Sequence, residues 1–277
     1  MARAQRQAAP EGDGLRPILK WPGGKRLLAD KIVALMPTRY DRYIEPFLGG
    51  GAVFFRLQPS RAVLADADPA LINCYTQIRD HPDQVLRALA RMKNSETEYY
   101  RIRASRPRTN VSRAAKLVYL ANLGFNGVYR LNFRGEYNVP YGHRPDRRPV
   151  DPAHVRSASV MLRRASLRDG DFETTLRTAG SGDVVYLDPP YTVAHANNGF
   201  IRYNARLFSW SDQQRLAIAA REAASRGAFV VVTNADHISV RNLYPNFQEI
   251  LVERASTIAA TSSKRKLVTE SIFYTAQ

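Results

Sequence analysis

The sequence predicts an α/β fold: a mainly parallel sheet whose chain is interrupted by a basic, mainly helical insertion. Strand-like and helix-like stretches alternate up to about residue 75, and the alternation returns at Asp183. Such alternation is typical of parallel strands covered by helices. Residues 76–164 carry helical patterns and a loop rich in Gly, Asn and Pro, without an evident strand. The 277 residues are enough for one large domain or two of ordinary size.

The first α/β part contains two units of a strand followed by a helix. RYDRYIEPFLGGGAVFFRL, residues 39–57, begins as a strand, breaks at three glycines and continues as a helix. RAVLADAD is a short apolar run that ends in Asp66 and Asp68. The PALINCYTQIR stretch that follows places its apolar residues at helical spacing, so we expect a second strand and a second helix.

The second α/β part begins with DVVYL, residues 183–187, which we expect to be a buried strand. SDQQRLAIAAREAASRG follows as a helix, with Ser211 as the predicted N-cap and Gly227 at its end. AFVVVTN is a further strand. FQEILVER and LVTESIFYT are predicted to form an antiparallel pair through the loop STIAATSSKRK.

The excess of positive charge is concentrated in the insertion. The whole chain has 41 Lys and Arg against 25 Asp and Glu, a net charge of +16. Residues 76–164 hold 18 Lys and Arg against 7 Asp and Glu, a net charge of +11. This regional excess favours a polyanionic partner. We therefore predict a disordered tail (1–16), one domain made of residues 17–75 and 165–277, and a second domain made of residues 76–164.

Composition excludes several classes of protein. The single Cys74 excludes an intramolecular disulfide framework and a cysteine zinc site, and it fits a reducing cytoplasm. No metal cluster is evident, so we predict no metal. No run approaches eighteen apolar residues, and residues 1–16 lack the apolar segment of a signal peptide, so we expect a soluble, cytoplasmic protein without a membrane partner. A phosphate-binding loop of the G-x-x-x-x-G-K-[ST] type is missing, which disfavours ATP chemistry.

The glycine-rich loop EPFLGGG is a candidate ligand site. It follows the first predicted strand, and ligands of open α/β sheets bind beyond the carboxyl ends of strands. Its pattern is Phe47-x-Gly49-x-Gly51, and Asp66 at the end of the next strand is placed to accept hydrogen bonds from ribose hydroxyls. A structural tight turn explains the glycines equally well.

The run VVYLDPPYT, residues 184–192, places a carboxylate and an aromatic ring at the tip of a buried strand. Prolines lack an N–H group and end strands, so Asp188 before Pro189 and Pro190 is explained equally well by a capped turn. The rest of the chain has to decide between a turn and a site.

Five motifs in one order resemble the Dam-type, alpha-group DNA adenine-N6 methyltransferases, which use S-adenosylmethionine. LKWPGGK (19–25) is similar to the family's N-terminal cofactor segment, EPFLGGG to its Phe-x-Gly-x-Gly loop and ADAD to its ribose acid. FNGVYRLNFRGEYNVPYG (125–142) is similar to its DNA-reading loop, and DPPY to its catalytic tetrapeptide. The resemblance covers nearly everything from Leu19 onward. It implies a Rossmann-like class I methyltransferase sheet with an inserted, mainly helical DNA-recognition domain (76–164).

The resemblance also implies roles for the tetrapeptide and the cofactor segments. Asp188 and the Pro189 carbonyl would each accept one N6–H hydrogen bond from an adenine extruded from the duplex, and Tyr191 would stack on that base. Pro190 completes the stiff turn. S-adenosylmethionine contacts are implied for Trp21, Lys25, Glu45, Phe47, Gly49, Gly51, Asp66, Asp171, Phe172 and Asp188. A core aromatic and a surface lysine are the plain alternatives for Trp21 and Lys25.

The insertion supplies the predicted contacts to double-stranded DNA. By resemblance, Arg130 reads guanine N7 and O6, which predicts GATC as the target site. Asn126 would read an adenine edge or fill the gap left by the flipped base, although a mere turn at Asn126 and a phosphate contact by Arg130 are alternatives. The full predicted set of DNA-binding residues is Lys20, Asn126, Val128, Arg130, Asn132 and Pro140.

Two further loops are candidate parts of the site. TVAHANNGFIRYNARLFSW, residues 192–210, is expected to be a mobile lid over the flipped base and the cofactor. TSSKRK, residues 261–266, either contacts phosphate or is a solvated hairpin tip.

Two other functions use similar motifs. One is methyl transfer to cytosine N4, RNA or a protein glutamine, and the other is a non-catalytic DNA-binding protein on the same fold. The intact tetrapeptide, glycine loop and ribose acid favour an active, site-specific DNA adenine methyltransferase. We expect it to be monomeric and to act in the bacterial nucleoid or a phage-infected cell, with roles in regulation, repair or restriction-modification all open.

Overall fold

The computed structural model describes residues 15–132, 134–144, 146–192, 208–255 and 267–276. Within these ranges the chain forms a seven-stranded sheet with helices on both faces, which confirms the predicted α/β fold. Residues 1–14 of the predicted tail, residues 193–207 of the predicted lid and the predicted basic loop 261–266 lie outside the described residues. The strands are β1 (Arg42–Glu45), β2 (Ala62–Asp66), β3 (Ala165–Asp169), β4 (Asp183–Leu187), β5 (Phe229–Ala235), β6 (Gln248–Ala255) and β7 (Leu267–Tyr274).

The helices follow most of the predicted spacing, with one corrected N-terminus. The predicted N-cap Ser211 is wrong, because Ser209 caps the helix that begins at Trp210. The Ser209 hydroxyl accepts a hydrogen bond from the Asp212 N–H, and the Asp212 carboxylate accepts one from the Ser209 N–H, which together form a capping box. The helices are α1 (Ala29–Leu35), α2 (Ala52–Leu57), α3 (Pro69–Asp80), α4 (Pro82–Ala90), α5 (Glu96–Ala104), α6 (Asn110–Leu123), α7 (Pro152–Leu162), α8 (Phe172–Leu176), α9 (Trp210–Ser225) and α10 (Ile238–Arg241).

The strand order in the sheet is β3-β2-β1-β4-β5-β7-β6. Strands β1 to β5 pair in parallel, β7 pairs with β5 in antiparallel fashion, and β6 and β7 form the predicted antiparallel pair. The chain moves outward from β1 to β3 on one side and from β4 to β5 on the other, so the order reverses between β1 and β4. Ligands of open α/β sheets bind at this reversal point, and the glycine loop and the DPPY turn both follow the strands that flank it.

Strand β3 was not predicted, and its sequence explains why. Its residues ASLRD show one buried, one half-buried and three exposed positions, because β3 is the outer strand beside β2. An edge strand with this exposure lacks the apolar run that marks the central strands.

The sheet separates two apolar layers. Side chains alternate along β4, so that Val184 and Tyr186 pack on one layer and Val185 and Leu187 on the other. The first layer is covered by α1 to α7, and the second by α8, α9 and α10. All five residues of β4 are buried, which fixes the position of the turn at its carboxyl end.

The helices of the insertion share the first apolar layer. Leu71 and Tyr75 of α3 belong to the same buried cluster as Leu117 and Tyr119 of α6. The predicted domain boundary after residue 75 falls inside α3, and the boundary after residue 164 falls directly before β3. The division into two domains stays a prediction. In the part of the chain that the structure describes, no helix has the length and apolar content needed to cross a membrane.

Candidate active site

Asp188 stands directly after β4 and is held by three hydrogen bonds. The Lys25 ammonium donates to both carboxylate oxygens, at 2.7 and 2.9 Å, and the Thr233 hydroxyl of β5 donates to Oδ1 at 2.8 Å. The side chains of Lys25 and Asp188 are 4 % and 18 % exposed. Burial raises the pKa of Asp188, and the neighbouring Lys25 ammonium opposes that shift. The predicted cofactor lysine and the predicted catalytic acid are therefore ion-pair partners.

Tyr191 is fixed by a buried acid that the sequence reasoning missed. Its hydroxyl donates to Glu270 Oε2 at 3.1 Å, and Glu270 lies on β7. The Lys25 ammonium lies 4.9 Å from the centre of the Tyr191 ring and 4.0 Å from Glu270 Oε2. Burial raises the pKa of Tyr191 well above its usual value, and the nearby Asp188 and Glu270 carboxylates add to the shift. The available signal was Glu270 itself, the only charged residue in the predicted strand LVTESIFYT.

The glycine loop after β1 is tied to Asp66, the predicted ribose acid. The Gly49 N–H donates to Asp66 Oδ2 at 2.9 Å, and the Asp68 N–H donates to Oδ1 at 3.0 Å. Burial raises the pKa of Asp66 to about 6, against the effect of these hydrogen bonds. Gly49 and Gly51 have φ values of +47° and +68°, which side chains rarely adopt. A Cβ on Gly49 would lie 2.9 Å from Cδ1 of Trp21.

Glu45 is a buried acid at the end of β1. The Tyr43 hydroxyl donates to its Oε2 at 2.9 Å. Burial raises the pKa of Glu45 well above its usual value, and the negative charges of Asp188 and Asp66 act in the same direction. Their influence on Glu45 indicates that the three predicted site acids share one region at the carboxyl ends of β1, β2 and β4.

Phe47 of the glycine loop forms a cluster with Phe172 and Phe208. The ring centres of Phe47 and Phe172 are 5.4 Å apart, and Phe208 lies 5.6 Å from Phe47. The Arg215 guanidinium covers Phe172 at 4.9 Å and pairs with Asp171 at 3.0 Å. The predicted cofactor residues Phe47, Asp171 and Phe172 are thus brought together, and Arg215 of α9 joins them without having been predicted.

Trp21 links the glycine loop to the predicted DNA-reading loop. Its ring stacks on Tyr129 with the centres 4.2 Å apart and the planes at 23°. Its other neighbours include Gly49, as described above. Lys20, the preceding residue, packs on Gly127, where a Cβ would lie 2.6 Å from the lysine Cδ.

A basic cleft of about 800 Å³ lies between the N-terminal segment and the insertion. Burial, together with the positive charges of Arg147 and Arg144, lowers the pKa of Lys20 to about 8. Arg147 and Arg148 contribute to the cleft wall. Of the predicted DNA-binding residues, the cleft is lined by Lys20, Asn126 and Val128.

The other three predicted DNA-binding residues lie on the hairpin-like loop beyond the cleft. Arg130 is exposed and donates from Nε to Asn138 Oδ1 at 2.9 Å. Asn132 holds the turn, since its Oδ1 accepts from the N–H groups of Arg134 and Glu136, each at 2.9 Å. Pro140 is exposed, and its carbonyl accepts from the Phe125 N–H. The Asn132 side chain therefore stabilises the turn of this loop.

Among the residues that the structure describes, no group of three or more His, Cys, Asp or Glu side chains is arranged to hold a metal ion. The titratable groups of the site, Lys25, Asp66, Asp188 and Glu270, instead pair with one another or with neighbouring hydrogen-bond donors and acceptors.

Comparison with known proteins identifies the family. Residues 21–258 match the family described as D12 class N6 adenine-specific DNA methyltransferase. The chain belongs to this family.

Relatives of this methyltransferase align along nearly its whole length. It is 39 % identical to the Type II methyltransferase M1.LlaDCHI of Lactococcus lactis subsp. cremoris over 268 residues, which cover 93 % of this chain and 94 % of the relative. It is 31 % identical to the DNA adenine methylase of Escherichia coli strain K12 over 262 residues, covering 92 % and 93 %. The Type II methyltransferase M.MjaIII of Methanocaldococcus jannaschii is 29 % identical over 276 residues, covering 91 % and 96 %.

The reaction class follows from membership of this family. The protein is an adenine-specific DNA methyltransferase that acts on the N6 amine, and its family and fold imply S-adenosylmethionine as the methyl donor. The predicted family resemblance and the predicted enzyme class are confirmed.

Proposed function

We propose that this methyltransferase binds S-adenosylmethionine over the glycine loop and methylates N6 of an adenine flipped out of duplex DNA, within the sequence GATC. One observation carries the proposal: residues 20–25 connect three parts of the molecule. Lys20 lines the basic cleft, Trp21 packs on Gly49, and Lys25 pairs with Asp188. The glycine loop, a carboxylate and a cationic cleft thus meet along six residues.

The residues at the glycine loop fit S-adenosylmethionine. Gly49 and Gly51 have positive φ values, and because they carry no side chain their backbone allows a ligand to approach closely. The Asp66 carboxylate is suited to two ribose hydroxyls, Phe47 and Phe172 to the faces of an adenine ring, and Lys25 to the methionine carboxylate. Glu45, Gly51 and Asp171 complete the proposed set around these groups. When bound, the cofactor supplies an electrophilic methyl group.

Asp188 and Pro189 activate the adenine amine. The N6 lone pair is delocalised into the ring, and hydrogen bonds from both N6–H groups to the Asp188 carboxylate and the Pro189 carbonyl favour a tetrahedral nitrogen. Thr233 holds Asp188 Oδ1, so Oδ2 is the oxygen offered to the amine. Lys25 also donates to Oδ1, at 2.7 Å, so it keeps that contact when the amine binds Oδ2.

Tyr191 supplies the stacking surface for the flipped base. Lys25 lies over its ring, and Glu270 fixes its hydroxyl, so the ring has a defined orientation. The adenine stacks on the face away from Lys25. A base held in this way has left the duplex, which costs a few kcal/mol of stacking and pairing that contacts to the DNA have to offset.

The basic cleft and the hairpin-like loop contact the duplex. Lys20 and Arg147 are suited to phosphates, which give affinity without sequence information. Arg130 is exposed, and its guanidinium can donate two hydrogen bonds to N7 and O6 of guanine. Asn126 and Val128 at the cleft face the gap or the neighbouring base pair, while Asn132 and Pro140 shape the loop. We propose GATC on the role of Arg130.

Digestion of methylated plasmid tests the sequence assignment. Plasmid DNA lacking adenine methylation is incubated with the enzyme and S-adenosylmethionine, then cut with nucleases that distinguish methylated from unmethylated GATC. We expect full conversion to the methylated cleavage pattern and N6-methyladenine in the nucleoside digest. Methyl incorporation with an unchanged GATC cleavage pattern would overturn the assignment.

We further infer that the enzyme acts as a monomer in the cytoplasm, on the DNA of the nucleoid or of an infecting phage. The support is that the cofactor, catalytic and DNA-reading motifs all occur in one sequence, so the proposed site needs no residue of a second subunit. Size determination in solution, with and without a duplex of one target site, tests the monomer.

A further inference from the structure

A chain of three hydrogen bonds connects the end of β5, through α9, to the DPPY turn. The Ala235 N–H donates to Asn234 Oδ1 at 2.8 Å, and Asn234 Nδ2 donates to Gln213 Oε1 at 3.0 Å. Gln213 Nε2 then donates to the Pro190 carbonyl at 3.0 Å. The side chains of Gln213 and Asn234 are completely buried, so water cannot replace these partners.

The direction of this chain is fixed from one end. A backbone N–H can only donate, so the Ala235 N–H requires the oxygen of the Asn234 amide to face it. The Asn234 NH₂ group then faces Gln213, which requires the Gln213 oxygen there and leaves the Gln213 NH₂ group for Pro190. Every amide orientation follows from the first, and the carbonyl of Pro190 always receives a hydrogen bond.

The turn depends on this outside donor. Pro189 and Pro190 have no N–H groups, so the turn cannot hold its own carbonyls by hydrogen bonds between these residues. The Pro190 carbonyl belongs to the peptide unit that carries Tyr191, and planar peptide units move as one body. Gln213 on α9 therefore fixes the plane from which Tyr191 projects, while Glu270 fixes the other end of the same side chain.

We propose that Gln213, oriented by Asn234, is a positioning residue for methyl transfer. Its amide holds the Pro190 carbonyl and thereby sets the Tyr191 ring and the acceptor pair of Asp188 and Pro189 in the geometry that the reaction needs. The inference rests on the proposed roles of Asp188 and Tyr191. Gln213 touches no reacting atom, and its effect is on the rate of the chemical step because misplacement of reacting groups by about 1 Å costs about 100-fold.

The Gln213→Glu variant tests the donor role without a change of shape. An ionised glutamate still accepts from Asn234 but cannot donate to Pro190, whereas a protonated glutamic acid donates through its O–H group. Gln214→Glu is the matched control, since Gln214 is the next residue of α9 and is exposed. Single-turnover methyl transfer to a GATC duplex is measured with saturating S-adenosylmethionine between pH 6 and pH 9.

The readout is the rate of Gln213→Glu divided by the rate of Gln214→Glu at each pH. The other titratable groups, among them Asp188, Tyr191 and Glu270 of the site and Asp212 next to Gln213 in α9, are common to both variants, so their own titration cancels in the ratio. We expect a ratio that falls to about 0.01 at the alkaline end of the range, near pH 9, and that rises as the pH falls and the carboxyl takes up a proton. Dissociation constants for S-adenosylmethionine and DNA should stay within about twofold of the control.

Two results would overturn the inference. One is a ratio near one at every pH up to 9, in protein whose thermal unfolding matches that of the control. The other is a low ratio that is the same at every pH, which indicates lost packing and no donor role. If Gln213→Glu fails to fold, Asn234→Asp serves instead, because it keeps the acceptor for Ala235 and removes only the donor that orients Gln213. A full rate of methyl transfer by Asn234→Asp would then overturn the inference.

An Asp188→Asn variant measured in parallel separates this inference from the proposed site. If Asp188→Asn keeps the full rate, the proposed role of the tetrapeptide is wrong, whatever Gln213 does. If Asp188→Asn loses the rate and Gln213→Glu keeps it, the site stands and only the positioning role of Gln213 fails.

Discussion

Removal of the Lys25 ammonium is predicted to destabilise the protein in a pH-dependent way. The Lys25→Met variant keeps the length and apolar stem of the side chain and leaves Asp188 without the cation that binds both of its oxygens. Thr233 keeps its hydrogen bond to Oδ1, so the carboxylate retains one partner. What remains is a carboxylate that is 18 % exposed and lacks a counter-ion.

The magnitude follows from this burial. Breaking a buried ion pair by removing one partner costs 3–5 kcal/mol, and the partial exposure of Asp188 and its Thr233 contact place the cost at the lower end, about 3 kcal/mol. For a domain of this size, that corresponds to a decrease in Tm of about 6–12 °C near pH 8.

The pH dependence has a definite sign. The pKa of Asp188 is raised by burial, and Lys25 opposes that shift, so the variant's pKa lies higher still. A carboxyl with a raised pKa binds its proton more tightly in the folded than in the unfolded state. Its cost to stability is therefore complete above the folded-state pKa and fades as the pH falls towards the unfolded value of about 3.9.

Thermal and urea unfolding of wild type and Lys25→Met, without cofactor, at pH values from 5 to 8.5 provide the assay. Lys31→Met is the control, since Lys31 is an exposed lysine of the neighbouring helix α1. We expect a large loss for Lys25→Met at pH 8 that shrinks at pH 5, and little change for Lys31→Met. A loss that matches Lys31→Met, or one that grows as the pH falls, would refute the reasoning.

Three other changes have defined outcomes. Because the pKa of Asp66 is about 6, the KM for S-adenosylmethionine should rise as the pH falls below 6, and Asp66→Asn should remove this dependence while raising KM throughout. Gly49→Ala should weaken cofactor binding, since its Cβ would lie 2.9 Å from Trp21. Gly23→Ala is the control and should weaken binding less, because φ of Gly23 is also positive (+74°) but nothing lies within 4 Å of its Cβ position. Calorimetric titration measures the cofactor affinity of both variants. Arg130→Ala should lose about 1–3 kcal/mol of discrimination at its base, measured as kcat/KM on GATC against singly substituted sites.

Each of these has a contradicting result. A KM that is flat across pH 6 in the wild type removes the ribose role of Asp66. Equal cofactor affinities for Gly49→Ala and Gly23→Ala would mean that backbone strain, and not the contact with Trp21, causes the loss of affinity. Equal losses on target and altered DNA for Arg130→Ala refute base reading and leave a phosphate contact.

Local sequence patterns predicted the frame of the site. The glycine loop, Asp66 and the DPPY turn each follow a short apolar run, and the structure places all three at the carboxyl ends of neighbouring strands. The alternation of strands and helices was sufficient for the fold class because a parallel sheet requires a crossover between successive strands.

The partners of the site residues were not predictable in this way. Glu270 and Thr233 lie 79 and 45 residues from the groups they contact, and only the pairing of β5 with β4 and β7 brings them to the turn. Gln213 reads as an ordinary polar residue of an amphipathic helix, and its complete burial depends on how α9 packs. The N-cap Ser209 escaped prediction because Ser211 fits the same preference two residues later.

The rate of methyl transfer by Asp188→Asn tests the central claim most directly. Labelled S-adenosylmethionine and a GATC duplex are mixed with excess enzyme, and N6-methyladenine is followed in a single turnover alongside cofactor and DNA affinities. The account predicts a rate at least about 100-fold below wild type with both affinities largely retained, because the asparagine amide cannot replace the carboxylate paired with Lys25 and Thr233. A wild-type rate of N6-methyladenine formation by this variant would contradict it.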